Sequence, residues 1–281
     1  MMSGQDSEVN QDDTSAGTIN PSDYVTEELD DVTILRLTQE IKDHEASKTP
    51  LVGELKPISV LLDEYADSTF RAKIKALGGG STGYRPIRGD GNCAWRAFAF
   101  RFFEFAQSYA PDQIAELKSR IMSLTKLLNE AGYNENGYID FVEETESLFD
   151  RLPGLTTETL VSEFNNMEVS SAVIVHFRLL AAAYVKTHAE DYMPFIDDGE
   201  GTTIEEYCNR QIEAFAVEAD HLALSALVNA VGVADLGVVY MDRSEGEDAV
   251  VHTFEPMSAS AKERMKIDLL YRPGHYDIFY R

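Results

Sequence analysis

Cysteine is scarce in this chain, because only Cys93 and Cys208 occur among its 281 residues. Two cysteines cannot build a disulfide framework for a chain of this length, and no CxxC pair is present to bind a metal. We therefore expect two free thiols, which are typical of a reducing compartment. The prediction is a cytoplasmic protein, with the nucleus as a second location, that carries no metal and no cofactor.

Positive charge is also scarce, since 24 Lys and Arg face 49 Asp and Glu, for a formal net charge of -25. Such a surface repels nucleic acid phosphates and anionic lipid head groups. It attracts a basic or mixed-charge protein, although acidity can equally serve solubility alone. We therefore expect protein partners rather than nucleic acid or membrane.

Long apolar runs are missing as well. The N-terminus has neither a basic start nor an apolar stretch, and so does not resemble a signal peptide. The most apolar segment, from Ala172 to Val185, contains His176 and Arg178 and is shorter than the roughly 20 residues of a membrane span. This segment predicts a buried helix in a soluble intracellular protein.

Three regions differ in composition along the chain. Residues 1–22 are polar and lack aromatic side chains, which predicts a disordered acidic tail. Residues 23–49 carry Leu29, Ile34 and Ile41 at roughly helical spacing among charges, which predicts an amphipathic helical arm. Such an arm either packs onto its own domain or docks onto a partner.

Residues 50–281 are expected to form one domain, in which the helices come first along the chain and the strands come last. The connections between the strands are too short for helical crossovers, so the prediction is an α/β (α+β) fold with a mostly antiparallel central sheet flanked by helices. Helices are predicted at about 55–77 (two short ones), 93–109, 112–131, 138–152, 157–164, 171–188, 203–215 and 220–231. Strands are predicted at 237–241, 249–254, 267–271 and 276–280.

The segment Gly89-Asp90-Gly91-Asn92-Cys93 lies just before a predicted buried helix. Its glycines permit a sharp turn, and the positive end of the helix favours a thiolate. The N–H groups of the same loop could hold the oxyanion formed when a carbonyl is attacked. The segment fits a nucleophile with its oxyanion hole, and it fits an inert cysteine at a tight turn about as well.

A base for this thiol is present in the run from Gly274 to Asp277. Side chains at alternate positions of a strand share a face, so His275 and Asp277 would project together. The carboxylate can then fix the tautomer of the imidazole, whose other nitrogen faces the thiol. The remaining histidines fit less well: for example, His176 lies in an apolar helix.

Two further residues are assigned structural roles. Asp220 precedes a predicted helix and suits its N-cap, which also favours a structural role for the neighbouring His221. Cys208 lies within a predicted helix without a glycine-built pocket, so we expect it to pack in the core.

The run from Arg88 to Cys93, followed by Arg96-Ala97-Phe98, resembles the cysteine motif of the ovarian-tumour-domain (OTU) deubiquitinases. The run from Leu269 to Ile278, LLYRPGHYDI, resembles the otubain branch of that family. Shorter stretches, at 177–180, 220–221 and 240–243, match in the same order. The resemblance covers about residues 50–281.

This resemblance implies a papain-like OTU fold and thiol-dependent hydrolysis of the isopeptide bond after the C-terminal glycine of ubiquitin. It makes Cys93 the nucleophile, His275 the general base and Asp277 its orienting acid. Asp90 would support the oxyanion loop that runs from Asp90 through Gly91 and Asn92 to Cys93. The family usually has an aromatic residue where Ala94 stands, and Trp95 is expected to fill that volume.

The resemblance also implies partners. These are ubiquitin and polyubiquitin chains, with preference for the linkage that signals proteasomal degradation. Otubains can also bind ubiquitin-charged conjugating enzymes and block ubiquitin transfer without cleavage, in which case the helical arm contacts the ubiquitin. By correspondence with the family, the ubiquitin-contacting residues would be Tyr133, Phe141, Ser171, Phe177, Phe215, Asp220 and His221.

Overall fold

The computed structural model describes residues 49–196, 201–244, 246, 248–257 and 264–281. The predicted tail at residues 1–22 and nearly all of the predicted arm at 23–49 lie outside this part of the chain.

The α-helices are α1 (Ser68–Gly78), α2 (Cys93–Gln107), α3 (Pro111–Ser123), α4 (Thr125–Glu130), α5 (Glu135–Arg151), α6 (Thr157–Asn165), α7 (Met167–Thr187), α8 (Ala189–Ile196), α9 (Ile204–Tyr207) and α10 (His221–Val231). The strands are β1 (Gly83–Arg85), β2 (Ala234–Tyr240), β3 (Val250–Phe254), β4 (Met265–Arg272) and β5 (His275–Tyr280).

The five strands form one sheet in the order β1-β5-β4-β2-β3. Three of the four strand pairs are antiparallel, and β2 with β4 is the parallel one. The mostly antiparallel sheet and its four predicted strands are therefore confirmed. The short strand β1 was not predicted, because three residues are too few to show an alternating pattern.

Both faces of the sheet are covered, because neighbouring residues of each strand point to opposite sides. One set joins the main core with α2, and it includes Leu236, Val238, Ile267, Leu269 and Ile278. The alternate set joins a smaller core with α1 and the 3-10 turn Ile58–Asp63, and it includes Val239, Leu270 and Phe279. Strand β5 lies between β1 and β4: its first residues pair with the end of β4, and its last three residues pair with β1.

Helix α2 runs through the main core and is buried along most of its length. Its Phe98 and Phe102 pack edge-to-face against Phe177 of α7, with ring centroids 5.9 and 5.6 Å apart. The prediction that Phe177 contacts ubiquitin is therefore wrong, because its side chain is fully buried in this aromatic cluster. The aromatic packing fixes α2, and with it Cys93, against the rest of the domain.

Helix α7 is the one helix in the described part of the chain that is long and apolar enough to cross a membrane. Because 67% of its most apolar window is buried, it serves as the core helix of the domain, as predicted. Two of its polar residues, His176 and Arg178, are fully buried and therefore need partners within the protein.

Two predicted helices are interrupted. The one expected at 112–131 divides at Leu124 into α3 and α4, where the hydroxyls of Ser123 and Thr125 donate to the carbonyls of Arg120 and Met122. Such side-chain bonds compete with helical ones. The helix expected at 203–215 consists of α9 and a π-helical turn, Cys208–Glu213. Helix α8 was not predicted, since it contains the unfavourable residue Pro194.

Candidate active site

Cys93 and His275 meet at the junction of two elements. Cys93 is the first residue of α2 and His275 is the first residue of β5. Their side chains lie close enough that the thiol of Cys93 helps to raise the pKa of the His275 imidazole. A Cβ atom at Gly89 would lie 3.4 Å from Nδ1 of His275, so this glycine leaves the imidazole room beside the cysteine loop. The predicted approach of thiol and imidazole is therefore present in the fold.

The orienting acid is Asp277, as the alternation along β5 predicted. Nε2 of His275 lies 2.9 Å from Oδ1 of Asp277, whose side chain is fully buried. Because Nε2 is held by the carboxylate, the nitrogen that remains for Cys93 is Nδ1. The backbone N–H of Ile87 also donates to Oδ1, at 2.9 Å, which ties the carboxylate to the chain just before the cysteine loop.

The charges at this junction favour a protonated histidine. Burial by itself would lower the pKa of His275, but the hydrogen bonds to Asp277 and Cys93, and the negative charges of these two groups, raise it to about 10. Burial would raise the pKa of Asp277, but the hydrogen bond from His275 and the positive charge of Arg272 lower it. A positively charged imidazolium is therefore held beside the sulfur of Cys93.

The loop before Cys93 has a backbone shape that requires glycine. Gly91 has a φ of +75°, and a Cβ there would lie 2.0 Å from the carbonyl oxygen of Ala216. Ala216 itself has a φ of +63°, which is uncommon for a residue other than glycine. Two segments far apart in sequence, the cysteine loop and the loop before α10, are thus in direct contact.

The N–H groups of the predicted oxyanion loop are not equivalent. That of Asp90 donates to the carbonyl of Arg88, and that of Asn92 donates to the Asp90 carboxylate. For the N–H groups of Gly91 and Cys93, no acceptor is found among the described residues, so both can donate to a substrate oxygen. The start of α2 adds to this positive field, because the first N–H groups of a helix have no partner within it.

Asp90 supports this loop, as the resemblance implied. Both of its carboxylate oxygens accept hydrogen bonds from Arg96, each at 2.8 Å, and Oδ1 also accepts the N–H of Asn92 at 3.0 Å. Arg96 is fully buried on the next turn of α2, where its Nε donates to Ser170. A bidentate pair of this kind fixes the orientation of the carboxylate as well as its position.

Arg178 joins the cysteine loop to the loop before α10, and sequence reasoning did not identify this role. Its Nη2 donates to Oδ1 of Asn92 and to the carbonyls of Gly91 and Val217, at 2.7–3.3 Å. Its Nη1 donates to the carbonyl of Ile212 at 2.8 Å. The only signal in the sequence was an arginine inside an otherwise apolar helix, because a buried charge requires several acceptors.

A model of the peptidase family described as Peptidase C65 Otubain matches residues 44–281. The chain belongs to this otubain family. Two relatives are each 34% identical: an OTU-domain-containing deubiquitinating enzyme 1 from Arabidopsis thaliana, over 85% of this chain and 83% of the relative, and the human ubiquitin thioesterase OTUB1, over 88% and 87%. This otubain is thus a cysteine-type enzyme of a family whose curated members are named for deubiquitination.

Solved structures agree with this assignment. A complex described as h/ceOTUB1–ubiquitin aldehyde–UBC13~Ub contains a chain that matches with a TM-score of 0.78 and 30% identity, over 89% of this chain and 98% of the other. A second, with UBCH5B~Ub in place of UBC13~Ub, matches with a TM-score of 0.78 and 30% identity, over 89% and 97%. The OTU fold predicted for this otubain is therefore confirmed.

Trp95, which follows Ala94 in this otubain, is fully buried, and the guanidinium of Arg178 lies over its ring, 4.7 Å from the centroid. The indole thus packs beneath the same arginine that holds the cysteine loop. That Trp95 fills the volume of the family's usual aromatic residue stays a prediction.

The other predicted ubiquitin contacts are distributed over several elements. Phe215 is 47% exposed and directly precedes Ala216, so it borders the cysteine loop. His221 is exposed, and its Nε2 lies 3.1 Å from the hydroxyl of Tyr240. Asp220 caps α10 by accepting from the N–H of Ala223, as predicted. The half-buried residues of the set are Tyr133, Phe141 and Ser171.

Proposed function

We propose that this otubain is a deubiquitinase that hydrolyses the isopeptide bond after the C-terminal glycine of ubiquitin. The observation that carries the proposal is the grouping of Cys93, His275 and Asp277 beside two backbone N–H groups, with Nε2 of His275 2.9 Å from the Asp277 carboxylate. This arrangement has what acyl transfer requires, namely a nucleophile, an oriented base and donors for an oxyanion.

In the first half of the reaction, the Cys93 thiolate attacks the glycine carbonyl carbon. Its oxygen becomes negative and accepts hydrogen bonds from the N–H groups of Gly91 and Cys93. His275 then donates its proton to the leaving lysine amine as the carbon–nitrogen bond breaks. The products of this half are a free lysine side chain and a thioester between ubiquitin and Cys93.

In the second half, water replaces the amine. Neutral His275 removes a proton from the water while the oxygen attacks the thioester carbonyl, and the sulfur leaves as the thiolate. Asp277 stabilises the imidazolium that forms, which restores the starting ion pair. The ubiquitin C-terminal carboxylate is released.

Ubiquitin and polyubiquitin chains are the proposed substrates, with preference for the linkage that signals proteasomal degradation. The similar solved structures, which contain ubiquitin aldehyde, support ubiquitin as a ligand. A time course of the purified protein on di-ubiquitin of every linkage tests both claims, and that linkage should be cleaved fastest. Equal cleavage of all linkages would reject the preference, and undiminished cleavage by Cys93→Ala would reject the mechanism.

A second candidate function is inhibition of ubiquitin-charged conjugating enzymes without cleavage. The presence of UBC13~Ub and UBCH5B~Ub in the similar complexes favours it. We propose that the arm at residues 23–49 makes the contact to the ubiquitin that is to be transferred.

Two variants separate these functions. Deletion of the residues before Ser47 should abolish inhibition of ubiquitin transfer and leave di-ubiquitin cleavage measurable. Cys93→Ala should abolish di-ubiquitin cleavage and leave the inhibition of ubiquitin transfer intact. Inhibition that survives the deletion would exclude a role for the arm.

A further inference from the structure

The carboxylate of Asp277 is shared between two cations. Its Oδ1 accepts from His275, and its Oδ2 accepts from Nη2 of Arg272 at 2.6 Å. Because Asp277 is fully buried, its charge is stabilised by these partners rather than by water. The charge that Asp277 presents to His275 is therefore partly offset by an arginine on the far side.

Arg272 in turn has a second acid. Its Nη1 donates to Oε2 of Glu64 at 2.7 Å, and Glu64 directly follows the 3-10 turn Ile58–Asp63. The side chain of Arg272 is only 17% exposed, whereas that of Glu64 is 48% exposed. The result is a line of alternating charges, Glu64, Arg272, Asp277 and His275, that begins at the surface and ends at the active site.

We propose that Glu64 and Arg272 are positioning residues that hold the Asp277 carboxylate and set how strongly it retains the proton on His275. Arg272 fixes the outer oxygen of Asp277, so that the inner oxygen stays directed at Nε2. The positive charge of Arg272 weakens the attraction between Asp277 and the imidazolium. Glu64 offsets that positive charge and so restores part of the attraction.

Glu64 is the outermost of these four charges, and a change there would reach His275 through Arg272 and Asp277. It follows a turn that packs beside the sheet, and it is the most exposed of the four charges. The turn formed by Pro273 and Gly274 connects Arg272 directly to His275. A displacement of Arg272 would therefore reach the histidine through the backbone as well as through Asp277.

Other groups around this line must be considered in any titration. The charged or titratable groups that bear on it come from α2, from β1, β4 and β5, and from the turn before α1. They are Cys93, Tyr84, Arg272, Asp277, Glu64 and Tyr65. Burial and the nearby acids raise the pKa of Tyr84 to about 12, so that Tyr84 stays neutral while His275 titrates.

The test is a titration of the His275 imidazole by NMR between pH 6 and 11, in protein with labelled histidine and without any ubiquitin. The His275 signal is assigned by its loss in His275→Gln. Glu64→Gln should move the midpoint to lower pH by roughly half a unit, because Arg272 then keeps its full charge beside Asp277. Arg272→Met should move it to higher pH, because the competing cation is gone.

A matched control lies elsewhere in the chain. Arg151 also bridges two acids, Glu144 at 3.0 Å and Glu163 at 2.9 Å, at the end of α5. Glu163→Gln and Arg151→Met should leave the His275 midpoint unchanged. Arg272→Lys, which keeps the charge, should return the midpoint close to that of the wild type.

Opposite shifts in the two test variants support the proposal, because simple loosening of the site would move both midpoints in one direction. Shifts of the same sign, or shifts no larger than those of the Arg151 controls, would overturn it. If Arg272→Met fails to fold, the surface variant Glu64→Gln decides alone, by a lower or an unchanged midpoint.

The inference rests on the proposed function for its effect on turnover, but the titration does not require it. In the cleavage assay, the alkaline limit of kcat/KM should follow the NMR midpoint. Shifted midpoints in a protein that cleaves no ubiquitin chain would refute the proposed function and leave the inference intact. Cleavage of ubiquitin chains with unshifted His275 midpoints in the variants would refute the inference and leave the proposed function intact.

Discussion

Two histidines occupy different regions of this molecule: the half-buried His275 lies at the junction of α2 and β5, and the buried His176 lies on α7, against α5. The pKa of His275 is raised to about 10, whereas burial lowers that of His176 to about 4. His275 has a carboxylate and a thiol as neighbours, whereas the hydrogen-bond partner of His176 among the described residues is the hydroxyl of Thr145, at 3.0 Å. Burial disfavours the charged form of both side chains, and Asp277 together with Cys93 reverses that effect at His275.

The hydroxyl of Thr145 explains the protonation state of His176. It donates to the carbonyl of Phe141 at 2.8 Å, so it must accept from Nδ1 of the histidine. Nε2 is then a bare acceptor, and no partner for it is found among the described residues. A proton on Nε2 would have no acceptor in the core, which keeps this ring neutral.

The two cysteines differ in their surroundings in the same way as the two histidines. Cys93 begins a helix and lies beside the positively charged imidazolium of His275. Cys208 lies in a π-helical turn, where its sulfur is 3.8 Å from the carbonyl of Ala182 and burial raises its pKa to about 12. Both thiols are buried, so accessibility alone does not distinguish the reactive one from the inert one.

Replacement of Cys93 should have the largest effect on the cleavage rate, and replacement of Cys208 serves as the comparison. Cys93→Ala should reduce di-ubiquitin cleavage to background, a loss of about 10⁶-fold, since no other group can form the thioester. Cys208→Ala should keep kcat near that of the wild type, with some loss of thermal stability from the small cavity. Cleavage rates and melting temperatures of both variants check this, and a large loss of kcat in Cys208→Ala would break the comparison.

Removal of the acidic partner should have the next largest effect. Asp277→Ala should lower kcat about 10³-fold, because His275 loses both its orientation and its high pKa. Asp277→Asn should lose less, because an amide oxygen can still accept from Nε2 while the charge is gone. The two kcat values, measured with circular dichroism to confirm folding, separate orientation from charge. Equal losses would show that the charge alone matters.

Acid should destabilise the region around His176. The folded-state pKa of about 4 lies below the ordinary value of 6.5, so the stabilisation is present above pH 6.5 and is lost as the pH falls toward 4. The expected loss over this window is about 3 kcal/mol. His176→Leu should lack this component in denaturant titrations at pH 7 and pH 4. The prediction fails if wild type and variant lose equal stability between these two pH values.

The smallest predicted effect concerns the support of the cysteine loop. Arg178→Lys keeps the charge but cannot reach four oxygens, so the Gly91 and Cys93 donors should be less well placed. We expect kcat to fall about 10-fold, with little change in KM. Steady-state kinetics provides the measurement, and the pH dependence of stability should stay as in the wild type because His176 is untouched. A rise in KM alone would place Arg178 in substrate binding instead.

Local patterns predicted most of the fold and the reacting groups. The alternation expected for the run from Gly274 to Asp277 placed His275 and Asp277 on one face, and the glycines before Cys93 predicted its turn. Both are properties of adjacent residues, and the order of helices and strands likewise follows from short-range periodicity.

The supporting residues could not be predicted in the same way. Arg178 acts through carbonyls of residues 91, 212 and 217, and Glu64 acts through a residue 208 positions away. Nor does any local pattern show that Ala216 adopts a left-handed conformation against Gly91. Phe177 was misassigned to the surface because a family correspondence does not reveal which side of a helix is buried. These contacts arise only when the whole chain has folded.

The bond from Ile87 to Asp277 gives the enzyme an internal reporter. An amide hydrogen that is bonded to a side chain exchanges with solvent deuterium only when that side chain departs. The exchange rate of the Ile87 amide hydrogen, whose acceptor is the Asp277 carboxylate, should therefore report how often Asp277 leaves its position in the active site. Its exchange rate, followed in heavy water without substrate or mutation, would give the fraction of molecules that are momentarily unable to react.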